Sequence, residues 1–263
     1  MFLEIVIPAH NEELRIARTL SSYRMVFTDP FVRFIVAMDG CCDGTARVVA
    51  AHAEEDARVE FRSYPKLGKG GVLMEAFRGC DADWVAFVDA DGATPPRELS
   101  RLLDAAMRAD GAIASRRHPA SFTPARRDRG RRLMSWAFVA AVRLLFGLPY
   151  SDTQCGAKVL RGPALRQVLP FLSSRDFLID VDLLAVADRL GLRIEEVPTI
   201  WVDQAGSKVS TRRDSVRMLV SALRLWLHLR IDPIPVPVPV AHPPAVEDVS
   251  ARAEPRALVS VAS

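Results

Sequence analysis

The sequence predicts an α/β protein built on a mostly parallel, doubly wound sheet flanked by helices. Three observations carry this. Short apolar runs at Phe2–Ile7, Phe31–Met38, Val59–Ser63 and Trp84–Val88 alternate with stretches of helical periodicity, the pattern of repeated strand–helix–strand units. Each run stops at polar residues, namely His10–Glu12, Asp39, Lys66–Lys69 and Asp89–Asp91. In a parallel sheet such residues gather beyond the carboxyl ends of the strands, where ligands bind.

The first run is interrupted only by Glu4 and ends in a turn at Pro8 and Ala9. A helix is expected directly after it, capped by Asn11, with Glu12 and Glu13 at its positive end and Leu14, Ala17 and Leu20 on one face. The second strand leads into the turn Asp39–Thr45 and a helix carrying Val48, Val49 and Ala51. After the third strand, a Gly and Lys loop at Lys66–Gly71 precedes a helix over Val72–Phe77. The fourth strand delivers Asp89 and Asp91 to its exposed end. Two carboxylates so close repel each other unless a cation or proton intervenes, so the pair suits a metal. The competing reading is a simple turn at Asp91-Gly92. Convergence with three other polar strand ends favours the metal.

Pro95 and Pro96 open a helix with Leu99, Leu102 and Leu103, and Gly111–Ser115 is a fifth strand. The composition then changes: Arg116–Arg132 holds seven arginines and one acid, Asp128. Leu133–Tyr150, which follows, is strongly apolar, with Trp136, Phe138 and Phe146 and Arg143 as its only charge. It is too interrupted to span a bilayer, and a basic segment running into an aromatic, apolar helix suits the headgroup region; a plain core helix is the competing reading. Ser151–Lys158 is a polar loop before the strand-like Val159-Leu160. Phe177–Leu184 carries Asp180 and Asp182, which as ordinary helix caps would face water. Arg193–Val197 is a last strand, Trp201–Ser210 a loop with Lys208, and Val216–Ile231 an amphipathic helix. From Asp232 the repeat Pro-Ile-Pro-Val-Pro-Val-Pro-Val can make neither helix nor central strand. The expected organisation is therefore a domain over 1–215, with 116–150 as its basic, apolar, membrane-side part, an amphipathic helix at 216–231 and a disordered Pro-rich tail at 232–263.

Composition excludes several function classes. With 263 residues, 49% of them apolar, the chain can bury a large core without staples. Cys41, Cys42, Cys80 and Cys155 show no metal-ligand spacing, which argues against zinc and for a reducing interior. A net charge of +3 and a basic run without an aromatic platform do not support a nucleic-acid partner. The Lys66–Gly71 loop is not a P-loop, because Gly70 follows Lys69 where Ser or Thr is required. A nucleotidyltransferase is expected to carry a Gly-rich basic loop after its first strand, a position held here by Pro8–Glu12. Met1 leads straight into a strand-like run without a basic leader, so a cytoplasmic protein, peripheral on the cytoplasmic face of the membrane, is expected.

An ordered set of motifs resembles the inverting family 2 glycosyltransferases of GT-A fold, and within them the dolichyl-phosphate and polyprenyl-phosphate glucosyltransferases and mannosyltransferases. The set comprises Ile7-Pro8-Ala9-His10-Asn11-Glu12-Glu13, Asp39-Gly40-Cys41-Cys42-Asp43-Gly44-Thr45, Gly68-Lys69-Gly70-Gly71 and Asp89-Ala90-Asp91-Gly92-Ala93-Thr94. It continues with Asp152-Thr153-Gln154-Cys155-Gly156, Asp180-Val181-Asp182-Leu183-Leu184 and Trp201 with Gly206-Ser207-Lys208. An Asp-x-Asp alone is a weak signal; the ordered set, spanning residues 1 to about 215, is a strong one. Met38-Asp39 stands where the family usually has two acids, and His10 where it often has an aromatic.

The resemblance implies that Pro8, Ala9, Asn11, Glu12 and Asp39 border a nucleotide-sugar, with Asp39 towards the base. It implies that Asp89 and Asp91 hold Mg2+ or Mn2+ on the diphosphate, approached also by Lys69 and Lys208. Asp91, Asp152 and Asp180 are the catalytic candidates, the last two orienting sugar or acceptor. A polyprenyl phosphate acceptor, with a second pKa of roughly 6, is mostly dianionic near neutrality and needs no strong base. It needs positioning, for which arginine forks are suited; Arg117, Arg131 and Ser135 are the candidates. The expected reaction transfers a hexose, glucose before mannose, with inversion. A soluble or protein-linked acceptor is the alternative.

Overall fold

The computed structural model describes residues 1–123, 129–202, 211–232 and 234, with backbone alone at 129–135 and 211–216. In chain order the elements are β1 (Leu3–Ala9), α1 (Ile16–Val26), β2 (Val32–Asp39), α2 (Thr45–Glu55), β3 (Val59–Tyr64), α3 (Lys69–Arg78), β4 (Trp84–Phe87) and α4 (Pro96–Ala106). Then come β5 (Gly111–Ser115), α5 (Arg129–Phe146), β6 (Lys158–Arg161), α6 (Gly162–Val168), a 3-10 turn at Leu169–Phe171, α7 (Ile179–Arg189), β7 (Ile194–Pro198) and α8 (Thr211–Ile231). The strands form one sheet in the order β3-β2-β1-β4-β6-β5-β7. All pair in parallel except β6, which runs antiparallel to both β4 and β5.

The sheet is covered on both faces, which is why its central strands read as continuous apolar runs rather than alternating ones. On one face α3, α6, α7 and α8 bury Leu73, Phe77, Leu165, Leu183 and Leu225. On the other α1, α2 and α4 bury Ile16, Leu20, Val49, Leu99 and Leu102. The one acid inside β1, Glu4, is buried and accepts the backbone N–H groups of Asp81 and Ala82 at the entry to β4. An acid in mid-strand is tolerated because those donors would otherwise be unpaired.

Two helix starts differ from the sequence expectation. α1 begins at Ile16, and Asn11 does not cap it but takes a left-handed backbone, φ 56°. Residues 11–13 instead grip the loop after β2: Asn11 Oδ1 accepts the Cys42 N–H, Glu12 N–H bonds Thr45 Oγ1, and Glu13 accepts the Gly44 N–H. Leu14, expected on the inner face, is 95% exposed for the same reason. α3 begins at Lys69 rather than Val72, because the Arg175 carbonyl accepts the Gly70 and Gly71 N–H groups and so caps an extra turn. α8 starts at Thr211, five residues before the expected Val216. The Pro-rich segment from 235 onward lies outside the described residues.

Candidate functional site

The carboxyl ends of β1, β2 and β4 are joined into one rim by side chains that bond backbone. His10 Nδ1 lies 2.6 Å from the Asp39 carbonyl, tying the ends of β1 and β2 together. Asp39 is buried; its Oδ1 accepts the Leu67 N–H at 2.5 Å and the Gly68 N–H at 3.2 Å, and Oδ2 pairs with Lys66 at 3.0 Å. Asp39 therefore fixes the loop ahead of α3. Glu12 is forked to Arg15 through two 2.7 Å bonds. Pro8 and Ala9 complete the rim at the last residues of β1.

The turn after β4 is held from behind by α1. Thr19 Oγ1 donates to the Ala90 carbonyl at 2.8 Å and the Tyr23 hydroxyl to the Thr94 carbonyl at 3.0 Å. Gly92 has φ 71°, and a Cβ there would stand 3.0 Å from Thr19 Oγ1, so a side chain would be both strained and crowded. Asp91 Oδ1 accepts the Ala93 N–H at 2.9 Å. Burial and then the neighbouring Asp89 charge push the Asp91 carboxyl above its usual range. Burial, followed by the charges of Asp89, Cys155 and Asp91, also raises the Tyr23 phenol. A pair of carboxylates whose second charge is disfavoured by the first is chemistry that a divalent cation relieves, with the remaining oxygen ligands drawn from substrate and water. Asp89 and Asp91 thus fit such an ion. Among the described residues no cluster of three or more His, Cys, Asp or Glu forms a complete protein cage.

Asp89 is the part-exposed end of a chain of alternating charge that runs into the buried Asp180 and Lys158. Its Oδ1 meets Lys69 Nζ at 2.9 Å; Lys69 also meets Asp180 Oδ2 at 3.2 Å, and Asp180 Oδ1 takes Lys158 Nζ at 2.5 Å. Burial opposes the Lys69 charge, yet Asp180 and Asp89 hold the ammonium above its ordinary range. Burial likewise opposes ionisation of Asp180, and Lys158 and Lys69 overcome it, keeping this carboxyl low. Asp180 and Asp182 are both buried in the first turn of α7, which overturns the water-facing cap reading. Asp182 Oδ2 accepts the Ser173 and Ser174 N–H groups, and its burial pushes its carboxyl up.

The third wall is the loop before β6. Asp152 is buried and forked by Arg116, at 2.6 Å and 2.9 Å, while Arg116 and Gln154 N–H groups add further bonds. Burial would raise the Asp152 carboxyl, but the Arg116 guanidinium brings it down to about 2. Arg116 in turn lies 5.0 Å from the Trp201 ring centroid. Further along the loop, a Cβ on Gly156 would sit 1.8 Å from Asp89 Oδ2, so this backbone lies directly on the Asp89 carboxylate.

The structure thus brings together Pro8, Ala9, Asn11, Glu12, Asp39, Lys69, Asp89 and Asp91, and places Asp152 and Asp180 beside them as ion-pair anchors. Arg117 leaves the end of β5 and stacks over Trp136 of α5, 4.7 Å to the centroid. The side chains of Arg131 and Ser135, and all of Lys208, lie outside the described residues. Sequence reasoning missed Arg116 and Lys158. Arg116 had a usable signal, as the first residue past a strand's carboxyl end; Lys158, read as the last residue of a polar loop, had none.

Residues 4–163 match the family model described as Glycosyl transferase family 2. Glycosyltransferase AglD of Haloferax volcanii is 32% identical over 88% of this chain, which spans only 38% of that longer relative. The dolichyl-phosphate beta-glucosyltransferase of Saccharomyces cerevisiae is 27% identical over 83% of this chain and 72% of its own length. The undecaprenyl-phosphate mannosyltransferase of Micrococcus luteus is 33% identical over 76% of this chain and 83% of its own. Among solved structures, glucosyl-3-phosphoglycerate synthase of Mycobacterium tuberculosis in complex with uridine-diphosphate superposes with a TM-score of 0.64 at 22% identity, covering 86% of this chain and 80% of that one. That likeness concerns the fold.

Proposed function

The chain belongs to glycosyl transferase family 2, and from that premise we propose that it moves a hexose, glucose before mannose, from a nucleotide-sugar to a polyprenyl phosphate at a membrane surface. The observation that carries the reading is the Asp89–Asp91 turn. It is clamped by Thr19 and Tyr23 from behind and by Lys69 and Gly156 in front, at the one rim where the ends of β1, β2 and β4 meet.

In this reading Pro8, Ala9, Asn11 and Glu12 line the nucleotide, and Asp39 frames the base by fixing residues 66–68. Asp89 and Asp91 hold Mg2+ or Mn2+, which when bound neutralises charge developing on the diphosphate leaving group. Lys69 presents its ammonium at the same place, anchored by Asp180, and Lys208, outside the described residues, is assigned to the diphosphate. Asp152 holds Arg116 charged and oriented; this recasts Asp152 and Asp180 as positioning residues rather than groups that touch the reacting atoms. Arg117, Arg131 and Ser135 receive the acceptor phosphate. An anionic phosphate oxygen attacks the anomeric carbon opposite the leaving diphosphate, so the sugar inverts and no proton need be removed.

The membrane part of the reading rests on apolar side chains left in water. Trp136 and Leu144 of α5 are exposed, Leu144 at 86%, and α8 exposes five more apolar residues. Among the described residues no helix is long and apolar enough to cross a membrane. Such helices suit the interface, here assigned to the cytoplasmic face.

The test is transfer of labelled glucose from UDP-glucose, or mannose from GDP-mannose, to a polyprenyl phosphate with Mn2+ or Mg2+. Lipid-extractable label is expected with one donor, and Asp91→Ala is expected to abolish it. Label appearing only on a soluble or protein acceptor, or full transfer by the variant, would contradict the reading.

A further inference from the structure

A concave site lies between α8, the 67–68 loop and the 173–176 loop, and its 67–68 wall directly precedes Lys69, which pairs with Asp89. It is an open depression of about 460 Å³. Its lining includes Arg175, Arg224 and His228, the hydroxyls of Ser173, Ser174 and Ser221, and apolar Leu67 and Leu225. The charge on this lining is unbalanced. His228 is paired with Asp232 at 3.0 Å. The lone acid of the lining, Asp176, keeps its charge while Oδ1 accepts the Leu178 N–H at 2.8 Å and Oδ2 the Ser221 hydroxyl at 2.6 Å, so Arg175 and Arg224 leave the lining with an excess of one positive charge. Arg175 and Arg224 have no ion-pair or hydrogen-bond partner for their guanidinium groups among the described residues.

The helix that forms one wall says what kind of molecule brings the anion. α8 buries Ala222, Leu225 and Leu229 against the protein, and exposes Leu219, Leu223 and Leu227 at i, i+4 spacing together with Val220 and Ile231. At 100° per residue, Ser221, Arg224 and His228 fall on a strip between these two apolar faces. A helix with its outer apolar stripe in the interface would hold that strip, and the cavity beside it, at headgroup depth. Two guanidinium forks are suited to phosphate oxygens, whereas the Ser221 and Ser173 hydroxyls already donate to Asp176 and Asp182.

We infer that this cavity binds the phosphate of an anionic phospholipid headgroup, clamped by Arg175 and Arg224. The lining shares no residue with the Arg117, Arg131 and Ser135 acceptor assignment, and the inference rests on the membrane-surface part of the proposed function alone. It gives the protein a fixed orientation on an anionic leaflet, because α8 cannot roll without withdrawing Arg224 from the headgroup. The wall shared with residues 67 and 68 also places a bound headgroup next to the loop that Asp39 fixes.

Vesicle co-sedimentation of the full chain tests this, with phosphatidylcholine alone and with added phosphatidylglycerol. Arg175→Gln with Arg224→Gln is expected to weaken binding to the anionic vesicles by roughly 30-fold with an unchanged melting temperature. Arg175→Lys with Arg224→Lys keeps both charges but loses the fork, and is expected to weaken it roughly fivefold. Full affinity in the lysine pair would mean a diffuse basic field and overturn the site. A raised KM for a short-chain polyprenyl phosphate in the glutamine pair would assign the cavity to the acceptor and equally overturn it. Inorganic phosphate that binds the wild type and not the glutamine pair, with vesicle affinity the same in both, would make it a free-phosphate site and overturn the lipid assignment. Wild-type protein that binds neither vesicle would remove the membrane reading as well, whereas binding that is equal in wild type and glutamine pair removes this inference alone.

Discussion

Asp152 and Arg116 show how a residue's role follows from its partner. The family resemblance makes Asp152 a catalytic candidate; both of its oxygens bond Arg116 and backbone N–H groups, which supports the positioning role proposed for it. Arg116→Ala would leave a buried carboxylate without its partner and should cost about 3–5 kcal/mol, readable by denaturant unfolding. The pH dependence follows from the same pair. The Asp152 carboxyl is lowered on folding to about 2, so its stabilisation is present above the unfolded value near 3.9 and is lost as pH falls through about 2. Wild-type stability should therefore drop between about pH 4 and pH 2, and Arg116→Ala should lose much of that dependence. The acids themselves were legible because each stands in a recognisable motif. Their counter-ions were not, since Arg116 and Lys158 come from distant elements and only the fold brings them together.

At the level of elements, the strands were readable from continuous apolar runs because both sheet faces are covered. Helix starts were less so. α1 and α3 begin where tertiary hydrogen bonds allow, the first delayed by the grip of residues 11–13 on the β2–α2 loop, the second advanced by the Arg175 carbonyl. The loop before β6 was marked by its motif, but its closeness to Asp89 was visible only in three dimensions. Gly156→Ala follows from that contact: the new methyl would displace the Asp89 carboxylate, and Mn2+ affinity measured by electron paramagnetic resonance should fall by at least about tenfold. Unchanged affinity would mean the loop yields and does not position Asp89.

Taken as a whole, the molecule is a seven-stranded sheet whose carboxyl edge carries the candidate site and whose α5 and α8 expose apolar side chains. The alternation of strands and helices made the sheet legible, while the reversed strand β6 was not, because a four-residue strand carries no mark of its direction. That reversal brings Lys158, at the start of β6, beside the end of β4, where it anchors Asp180 and through it Lys69 and Asp89. In the proposed function this edge would hold a nucleotide diphosphate through a metal at Asp89 and Asp91. Calorimetric binding of UDP and GDP, with and without Mn2+, tests it most directly. One nucleotide should bind the wild type in the presence of Mn2+ and lose at least about 100-fold in affinity when the metal is withheld or in Asp91→Ala, with the melting temperature of the variant preserved. Equal binding with and without the metal, or by the variant, would contradict the account.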